Sequence, residues 1–347
     1  MNKAVYTICL HVFFLIQFVY SNNHPGKMII TGFRGTVPTQ PEIIALKEKI
    51  DAHHIGGIIL FNRNIVNREQ LIDLIAYLKK DTPIFIAIDH EGGLVNRLTH
   101  PSFHIQAPSP HDVCTMAPND QYRIAHENAT ELAALGITLN LGGVVDLKPL
   151  IEPSSICNAK RCYSDTSDIV VQCIQPVIAA HKAAGVIIAL KHFPGHGSTA
   201  TDSHITLPTI QSTYTPYEWM PYYAILSHPS PYIAVMTGHI MLPTIDPLYP
   251  ASLSQNHIQT IRHSFHFNGL IITDDLHMGA LKSMVATPSD AAYQAALAGN
   301  DLLLFEYLSL DDIDRVATNL QTAIQKSPTL NAHIQSRLST LQWYVTK

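Results

Sequence analysis

The chain has few charged residues and no concentrated run of them. Of its 347 residues only 14% are charged, and the 22 basic and 27 acidic residues are spread along the sequence. No basic run indicates a nucleic-acid partner, and no acidic tail indicates a strongly charged partner. A Gly/Ser-rich linker, an internal repeat and a low-complexity segment are also absent. The 46% of hydrophobic residues therefore predict one large domain with a single core.

Long apolar runs are absent except at the start of the chain. Lys3 precedes an apolar stretch over residues 4–20, and small Ser21 and a polar segment follow it. A basic start, an apolar centre and a small residue at the end predict a secretory signal peptide over residues 1–21, so residues 22–347 form the mature domain. An uncleaved anchor is the alternative, which His11 and Gln17 within the stretch weaken. We expect a periplasmic or secreted protein without a stable membrane partner.

Cysteine is scarce, and its spacing leaves two interpretations open. In an oxidising compartment Cys157 and Cys162 can form a disulfide around Arg161, and free buried thiols are equally compatible with the sequence. Four residues between two cysteines, without further ligands nearby, do not indicate a metal site. The cysteines that follow the leader are Cys114, Cys157, Cys162 and Cys173.

Short apolar runs alternate with amphipathic segments along the rest of the chain. Most runs are continuous and rich in Ile, Val and Leu, which is typical of parallel strands covered on both faces. Helical patterns between them begin at capping residues such as Asn67 and end near Gly136, Gly185 and Gly299. Pro176 predicts a kink or a late start in the helix over residues 168–184. The predicted strands are residues 28–33, 56–61, 84–88, 138–145, 186–190, 232–237, 270–273 and 301–305.

Eight strands, each followed by a helix, predict an α/β protein with a single (β/α)8 TIM barrel. A doubly wound open sheet is the alternative, but it normally needs fewer units. The active site of such a barrel lies at the carboxyl ends of the strands. Polar residues cluster after five predicted strands, at residues 89–93, 146, 191–192, 238–239 and 274–275. The sequence therefore predicts a reaction centre at this rim.

The segment over residues 191–204 is the densest of these clusters. It contains one Lys, three His, an Asp, two Gly and a Pro. Lys191 and His192 lie at the strand end, and residues 193–197 form a rigid turn. Asp202 can accept a hydrogen bond from one ring nitrogen of His204, which fixes the tautomer and leaves the other nitrogen for proton transfer. This pair is a candidate for acid/base work.

The seventh strand ends in two carboxylates, Asp274 and Asp275. A carboxylate at a barrel mouth can act as a nucleophile, a metal ligand or an electrostatic stabiliser. Asp274 lies nearer the strand end and is the candidate nucleophile, whereas Asp275 is expected to cap the following helix. The rim also carries fixed donors and an acceptor that suit a polyhydroxylated substrate: Arg97, Arg161, Lys191 and Asp89.

With these motifs the chain resembles glycoside hydrolase family 3, and within it the bacterial β-N-acetylglucosaminidases. The resemblance rests on Asp-His-Glu-Gly-Gly at 89–93, Lys-His-Phe-Pro-Gly-His-Gly at 191–197, Asp-Ser-His at 202–204 and Thr-Asp-Asp-Leu-His-Met at 273–278. It covers nearly the whole chain after the leader, so residues 22–347 are expected to be the catalytic barrel.

The resemblance implies an exo-acting, retaining hydrolase that removes terminal N-acetylglucosamine from peptidoglycan- or chitin-type oligosaccharides. It assigns the nucleophile that forms a covalent glycosyl intermediate to Asp274, and the acid/base to His204 paired with Asp202. No metal or other cofactor is implied. The residues implied to hold the sugar ring are Asp89, Arg97, Arg161, Lys191 and His192.

Two departures from the family and four rival functions remain at this point. Leu94 stands where the family often has Arg, and the leader contrasts with related single barrels that are cytoplasmic. A β-glucosidase and a glycoside phosphorylase of the same family are the nearest rivals. The phosphorylase is possible in chemical terms because a neutral His acid/base does not repel phosphate. A metal-dependent hydrolase is disfavoured because residues 31–34 contain no His-x-His pair. An inactive binding barrel is disfavoured because Asp274, Asp202 and His204 are all present.

Overall fold

The central sheet of the computed structural model consists of eight parallel strands. The structure describes residues 24–148, 154, 156–199, 201, 203, 205–210 and 216–346. The predicted leader lies outside these residues. The strands are β1 (Ile29–Thr31), β2 (Gly57–Leu60), β3 (Phe85–Ile88), β4 (Leu139–Val144), β5 (Ile187–Phe193), β6 (Ile233–Thr237), β7 (Leu270–Thr273) and β8 (Leu303–Phe305).

The sheet closes on itself. Its order is β7-β6-β5-β4-β3-β2-β1-β8, so neighbours in the sheet are neighbours in the chain except at the β1–β8 pair. A parallel bridge between Ile272 and Leu302 joins the two ends, and the backbone N–H of Thr273 donates to the carbonyl of Leu302 at 3.0 Å. The predicted (β/α)8 barrel is confirmed, and the doubly wound open sheet was the wrong alternative.

At least one helix follows each strand and covers the outside of the barrel. Asn67 caps the second helix by accepting from the backbone N–H of Gln70, as its position predicts. Gly136, Gly185 and Gly299 adopt left-handed backbone angles at helix ends. The helices are α1 (Pro41–Asp51), α2 (Arg68–Lys79), α3 (Pro110–Cys114), α4 (Pro118–Ala134), α5 (Ser167–Ala184), α6 (Met220–Leu226), α7 (Gln255–Gln259), α8 (Pro288–Ala298), α9 (Leu310–Lys326) and α10 (Pro328–Thr346).

Two details of the helices go beyond the sequence patterns. Helix α5 begins at Ser167 and runs through Pro176, so the predicted late start is wrong. A π-helical turn over Thr260–Ser264 continues α7. Within the described part of the chain, no helix has the length and apolarity needed to span a bilayer.

The strands form the buried centre of the core. Every residue of β5 is buried, including Lys191 and His192 at its carboxyl end. Burying a large apolar side chain such as Leu190 stabilises the fold by about 1.5–3 kcal/mol, whereas a buried charge needs partners. The pairing of β5 with β6 shifts register between Leu190 and Phe193. The regular barrel wall thus ends at the two residues that the sequence assigns to the reaction centre.

Two disulfides connect segments that surround the strands. Cys157–Cys162 closes a short segment between β4 and α5, which settles the open interpretation in favour of the bond. Cys114–Cys173 joins the end of α3 to α5 across 59 residues of sequence. The sequence did not indicate this second bond, because nothing local relates residues so far apart.

Candidate active site

One cavity of about 420 Å³ opens at the carboxyl ends of the strands. Its size is that of a site for a small molecule. Its wall contains six of the eight residues that the sequence assigned to catalysis or sugar binding: Asp89, Arg97, Arg161, Lys191, His192 and Asp274. The remaining two, Asp202 and His204, lie outside the described residues. Ser203, which is described, lines the same cavity.

A buried carboxylate, Glu91, joins two cations in the cavity wall. The Nε and Nη2 atoms of Arg161 donate to the two carboxylate oxygens of Glu91 at 2.7 and 2.8 Å. The Nζ atom of Lys191 lies 2.7 Å from Glu91 Oε1. Burial acts to raise the pKa of Glu91, but the charges of Lys191 and Arg161 outweigh it and lower the pKa to about 2. Glu91 is therefore ionised over the whole physiological range.

Asp89 extends this cluster toward the open side of the cavity. Lys191 Nζ donates to Asp89 Oδ1 at 2.9 Å, and Arg97 Nη2 lies 3.8 Å from Asp89 Oδ2. Burial acts to lower the pKa of Lys191, but Asp89 and Glu91 raise it above its usual value. Lys191 thus remains a charged donor although its side chain is almost inaccessible to water. Asp89, which is 20% exposed, is the carboxylate of this cluster that faces the cavity.

The turn after β3 directs Glu91 inward. Gly92 and Gly93 have φ angles of +93° and +59°, which side-chain-bearing residues rarely adopt. A Cβ atom on Gly92 would lie 2.1 Å from the carbonyl oxygen of Pro108. The backbone N–H of Glu91 donates to the carbonyl of Val95 at 2.9 Å and closes the turn. Leu94, at its tip, is 79% exposed.

Asp146 fixes the end of β5 from beneath. Its carboxylate accepts from the backbone N–H and from ring Nδ1 of His192, at 3.0 and 2.7 Å, and from the backbone N–H of His196 at 2.8 Å. Burial acts to raise the pKa of Asp146, but His192 and these hydrogen bonds hold it below its usual value. One buried carboxylate therefore orients the His192 ring and the turn that follows it.

Asp274 lies on the cavity wall at the end of β7. Its backbone N–H donates to the carbonyl of Thr237, and its Oδ1 accepts from the N–H of Asp275 at 2.8 Å. Burial acts to raise the pKa of Asp274, but His192, His239 and this N–H lower it below its usual value. The side chain is therefore an ionised carboxylate at neutral pH. This state is the one required of a nucleophile.

The neighbouring Asp275 holds loops together and does not cap the following helix as predicted. Its Oδ1 accepts from the backbone N–H groups of His277 at 3.0 Å and Glu306 at 2.7 Å. Helix α8 begins at Pro288 and is capped by Thr287. The prediction was wrong because a short 3-10 turn over Gly279–Leu281 intervenes between strand and helix.

The loop after β5 is attached at both ends of its described part. Ring Nε2 of His196 lies 3.0 Å from the hydroxyl of Ser203. The N–H of Ala280 donates to the carbonyl of Ser203 at 3.2 Å. The N–H of Ser198 donates to Glu218 Oε1 at 2.9 Å, and burial raises the pKa of Glu218 to about 7. The loop thus returns to the cavity beside the segment that follows Asp274.

The sequence placed three further residues at the rim without assigning them the organising roles that the structure shows. Glu91 is within a recognised motif, and its place before two glycines was the available signal. Asp146 ends the fourth strand, a position that marked it as polar but not as the anchor of His192. His239 follows β6, and its Nε2 contacts the carbonyl oxygen of Asp275 at 2.7 Å. Among the described residues, no group of three or more His, Cys, Asp or Glu side chains is placed to hold a metal ion.

Most of this chain is similar in sequence to known proteins. Residues 38–341 match the family described as "Glycosyl hydrolase family 3 N terminal domain". The "Beta-hexosaminidase" of Shewanella frigidimarina (strain NCIMB 400) is 34% identical over 260 residues, which cover 72% of this chain and 74% of that protein. The "Beta-hexosaminidase A" of Pseudoalteromonas piscicida is 32% identical over 288 residues, which cover 75% of this chain but 47% of that protein. The chain thus spans about half the length of the second relative.

A solved structure gives the same result for the fold. The "glycoside hydrolase family 3 beta-N-acetylglucosaminidase from Paenibacillus sp. str. FPU-7" superimposes with a TM-score of 0.80 at 28% sequence identity. The match covers 94% of this chain and 62% of that one. The family that the sequence motifs indicated is confirmed: the chain belongs to glycosyl hydrolase family 3.

Proposed function

We propose that this protein is an exo-acting, retaining β-N-acetylglucosaminidase. The observation that carries the proposal is the ionised Asp274 on the wall of one sugar-sized cavity. The same wall carries the charged donors and acceptors of the Glu91 cluster, which consists of Glu91, Asp89, Arg97, Arg161 and Lys191. The relatives named beta-hexosaminidase and the solved beta-N-acetylglucosaminidase support the class of sugar. The substrate is an oligosaccharide with a terminal, β-linked N-acetylglucosamine.

In the first step an Asp274 oxygen attacks the anomeric carbon. A bond forms between that oxygen and the carbon while the glycosidic carbon–oxygen bond breaks. His204 donates its proton to the departing oxygen, so that the aglycone leaves as an alcohol. Asp202 stabilises the imidazolium before transfer and keeps the ring in one tautomer. Ser203, which lines the cavity between these two positions, supports their place in the proposal.

In the second step water releases the sugar. Neutral His204 accepts a proton from a water molecule, whose oxygen attacks the anomeric carbon as the bond to Asp274 breaks. The carboxylate is regenerated and the sugar leaves with its original anomeric configuration, because two inversions have occurred. The enzyme returns to its starting state with His204 protonated.

The Glu91 cluster is suited to hold the sugar ring in both steps. Asp89 presents carboxylate oxygens, while Lys191 and Arg161 present N–H donors, so hydroxyl groups of the substrate can donate and accept at once. Because ion pairs fix these groups before the substrate arrives, little orientational freedom is lost on binding. His192, held by Asp146, is proposed to contact a hydroxyl from the same side of the cavity.

Replacing the nucleophile should abolish turnover without unfolding the protein. For Asp274→Asn, which keeps the shape but not the charge, we expect kcat on a chromogenic N-acetyl-β-glucosaminide to fall about 10⁴-fold or more. Asp274→Ala should lose the same amount, because the missing nucleophile and not packing limits both variants. Circular dichroism and a melting curve check folding. Full activity in either variant would contradict the nucleophile assignment.

Loss of the proposed proton-transfer pair, His204 and Asp202, should lower kcat by an amount that depends on the leaving group. We expect His204→Ala to lower kcat about 10²–10⁴-fold, and Asp202→Ala to lower it less. The loss should be larger for an alkyl glycoside than for a nitrophenyl glycoside, because nitrophenolate leaves without protonation. Exposed His228, replaced by Ala, is the matched control and should retain full activity. An unchanged rate in Asp202→Ala would refute the pairing.

A turnover panel separates the proposed activity from its rivals within the family. We expect the N-acetylglucosaminide to be cleaved at least about tenfold faster than the plain glucoside in kcat/KM, because the pocket is proposed to recognise the acetamido group. The product should be free N-acetylglucosamine with and without inorganic phosphate. Preference for the glucoside would indicate a β-glucosidase. Sugar 1-phosphate in the presence of phosphate would indicate a phosphorylase.

We also infer that the protein is exported and acts on peptidoglycan- or chitin-type oligosaccharides outside the cytoplasm. The leader-like residues 1–21 support export, and the two disulfides are typical of an oxidising compartment. N-terminal sequencing of the protein from cell fractions tests this. We expect a mature chain that begins near Asn22 in the periplasm or medium, whereas an intact Met1 in the cytoplasm would contradict export.

A further inference from the structure

The substrate-facing Arg161 lies on a segment with little regular structure. It follows a 3-10 turn over Cys157–Ala159 and precedes α5, outside every helix and strand. Lys160 before it has a φ angle of +57°, an unusual conformation for a residue with a side chain. The guanidinium nevertheless makes a two-point contact with Glu91, which requires the backbone to be held in one place.

The Cys157–Cys162 disulfide supplies this restraint. The two cysteines flank Arg161 and are both buried, at 7% and 3% exposure. They pack with Val144, at the end of β4, and with Ile156. The bond therefore fixes the segment on the barrel wall on both sides of Arg161. The bonded cysteines are five positions apart, and closing so short a loop restrains the unfolded chain less than closing a long one, so this bond should contribute less to overall stability.

We propose that the Cys157–Cys162 disulfide is a positioning element that holds Arg161 against Glu91 and thereby sets the affinity of the cavity for its sugar. The inference rests on the proposed function, in which Arg161 contacts the sugar ring. The cysteines themselves do not line the cavity, so the bond acts through neighbouring residues that do, which are Arg161 and Ile156.

The second disulfide provides a contrast within the same molecule. Cys114–Cys173 joins α3 to α5 across 59 residues, and neither cysteine lines the cavity. Because it closes a long loop, its contribution should go mainly to the free energy of unfolding. The two bonds are thus expected to affect different quantities: the short one affects substrate affinity, and the long one affects stability.

The test compares two double variants of the full chain. The first carries Cys157→Ala and Cys162→Ala, and the second carries Cys114→Ala and Cys173→Ala. For the first we expect KM for the N-acetylglucosaminide to rise about tenfold while kcat falls less than about threefold, since displacement of a positioning group by about 1 Å can cost up to about 100-fold. For the second we expect a Tm lower by about 5 °C, with KM unchanged within about twofold.

A third comparison tests whether the bond acts through Arg161. In an Arg161→Lys background, which keeps the charge but loses the two-point contact, removal of the short disulfide should raise KM less than about twofold further. Fully additive effects would mean that the bond acts elsewhere. An equal rise of KM in both double variants would mean a general loss of structure. Either result overturns the inference.

Amide hydrogen exchange separates failure of this inference from failure of the proposed function. In the Cys157→Ala, Cys162→Ala variant we expect faster exchange over residues 156–163, which is independent of any substrate. No glycoside turnover by the wild-type protein would overturn the proposed function, and the exchange data alone would then decide whether the bond positions Arg161. Unchanged exchange together with unchanged KM overturns the inference.

Discussion

The buried carboxylate of Glu91 holds together two cations from different parts of the barrel, one on a strand and one on a loop. Lys191 comes from the end of β5 and Arg161 from the segment after β4, and both lie within 2.8 Å of a Glu91 oxygen. Removing one partner of such a buried set typically costs about 3–5 kcal/mol, because the remaining charges stay buried without compensation. The positions of the groups that are proposed to hold the sugar therefore depend on a side chain that water does not reach.

On the other side of the cavity, carboxylates again hold neighbouring groups in place. Asp146 holds His192 through its ring and its backbone, and Asp275 holds the loops that follow β7 and β8. Each carboxylate that is expected to meet the substrate, Asp89 or Asp274, thus has a neighbouring carboxylate, Glu91 or Asp275, that holds other groups of the protein in place. Such support holds the groups that are proposed to react in fixed positions before the substrate binds.

The sequence predicted the barrel well because its strands are continuous apolar runs with helical patterns between them. It also predicted that six site residues lie at one rim, because the carboxyl ends of the strands of a barrel meet there. These residues are Asp89, Arg97, Arg161, Lys191, His192 and Asp274. Their individual roles, and those of Asp202 and His204, stay predictions. Glu91 was missed because a motif does not tell which of its carboxylates is buried, and Cys114–Cys173 because only the folded chain brings α3 to α5.

The charges on the cavity wall do not balance. Its five carboxylic side chains are Asp89, Glu91, Asp274, Asp275 and Glu306. They face three Lys and Arg side chains of the wall, which are Arg97, Arg161 and Lys191, and Arg63, which pairs with Glu306 from outside the wall. The electrostatic potential inside should accordingly be negative, which favours a substrate that gains positive charge at its ring carbon and ring oxygen on the way to the transition state. Under the proposed function, such a potential is expected to favour an uncharged attacking molecule such as water over a multiply charged anion.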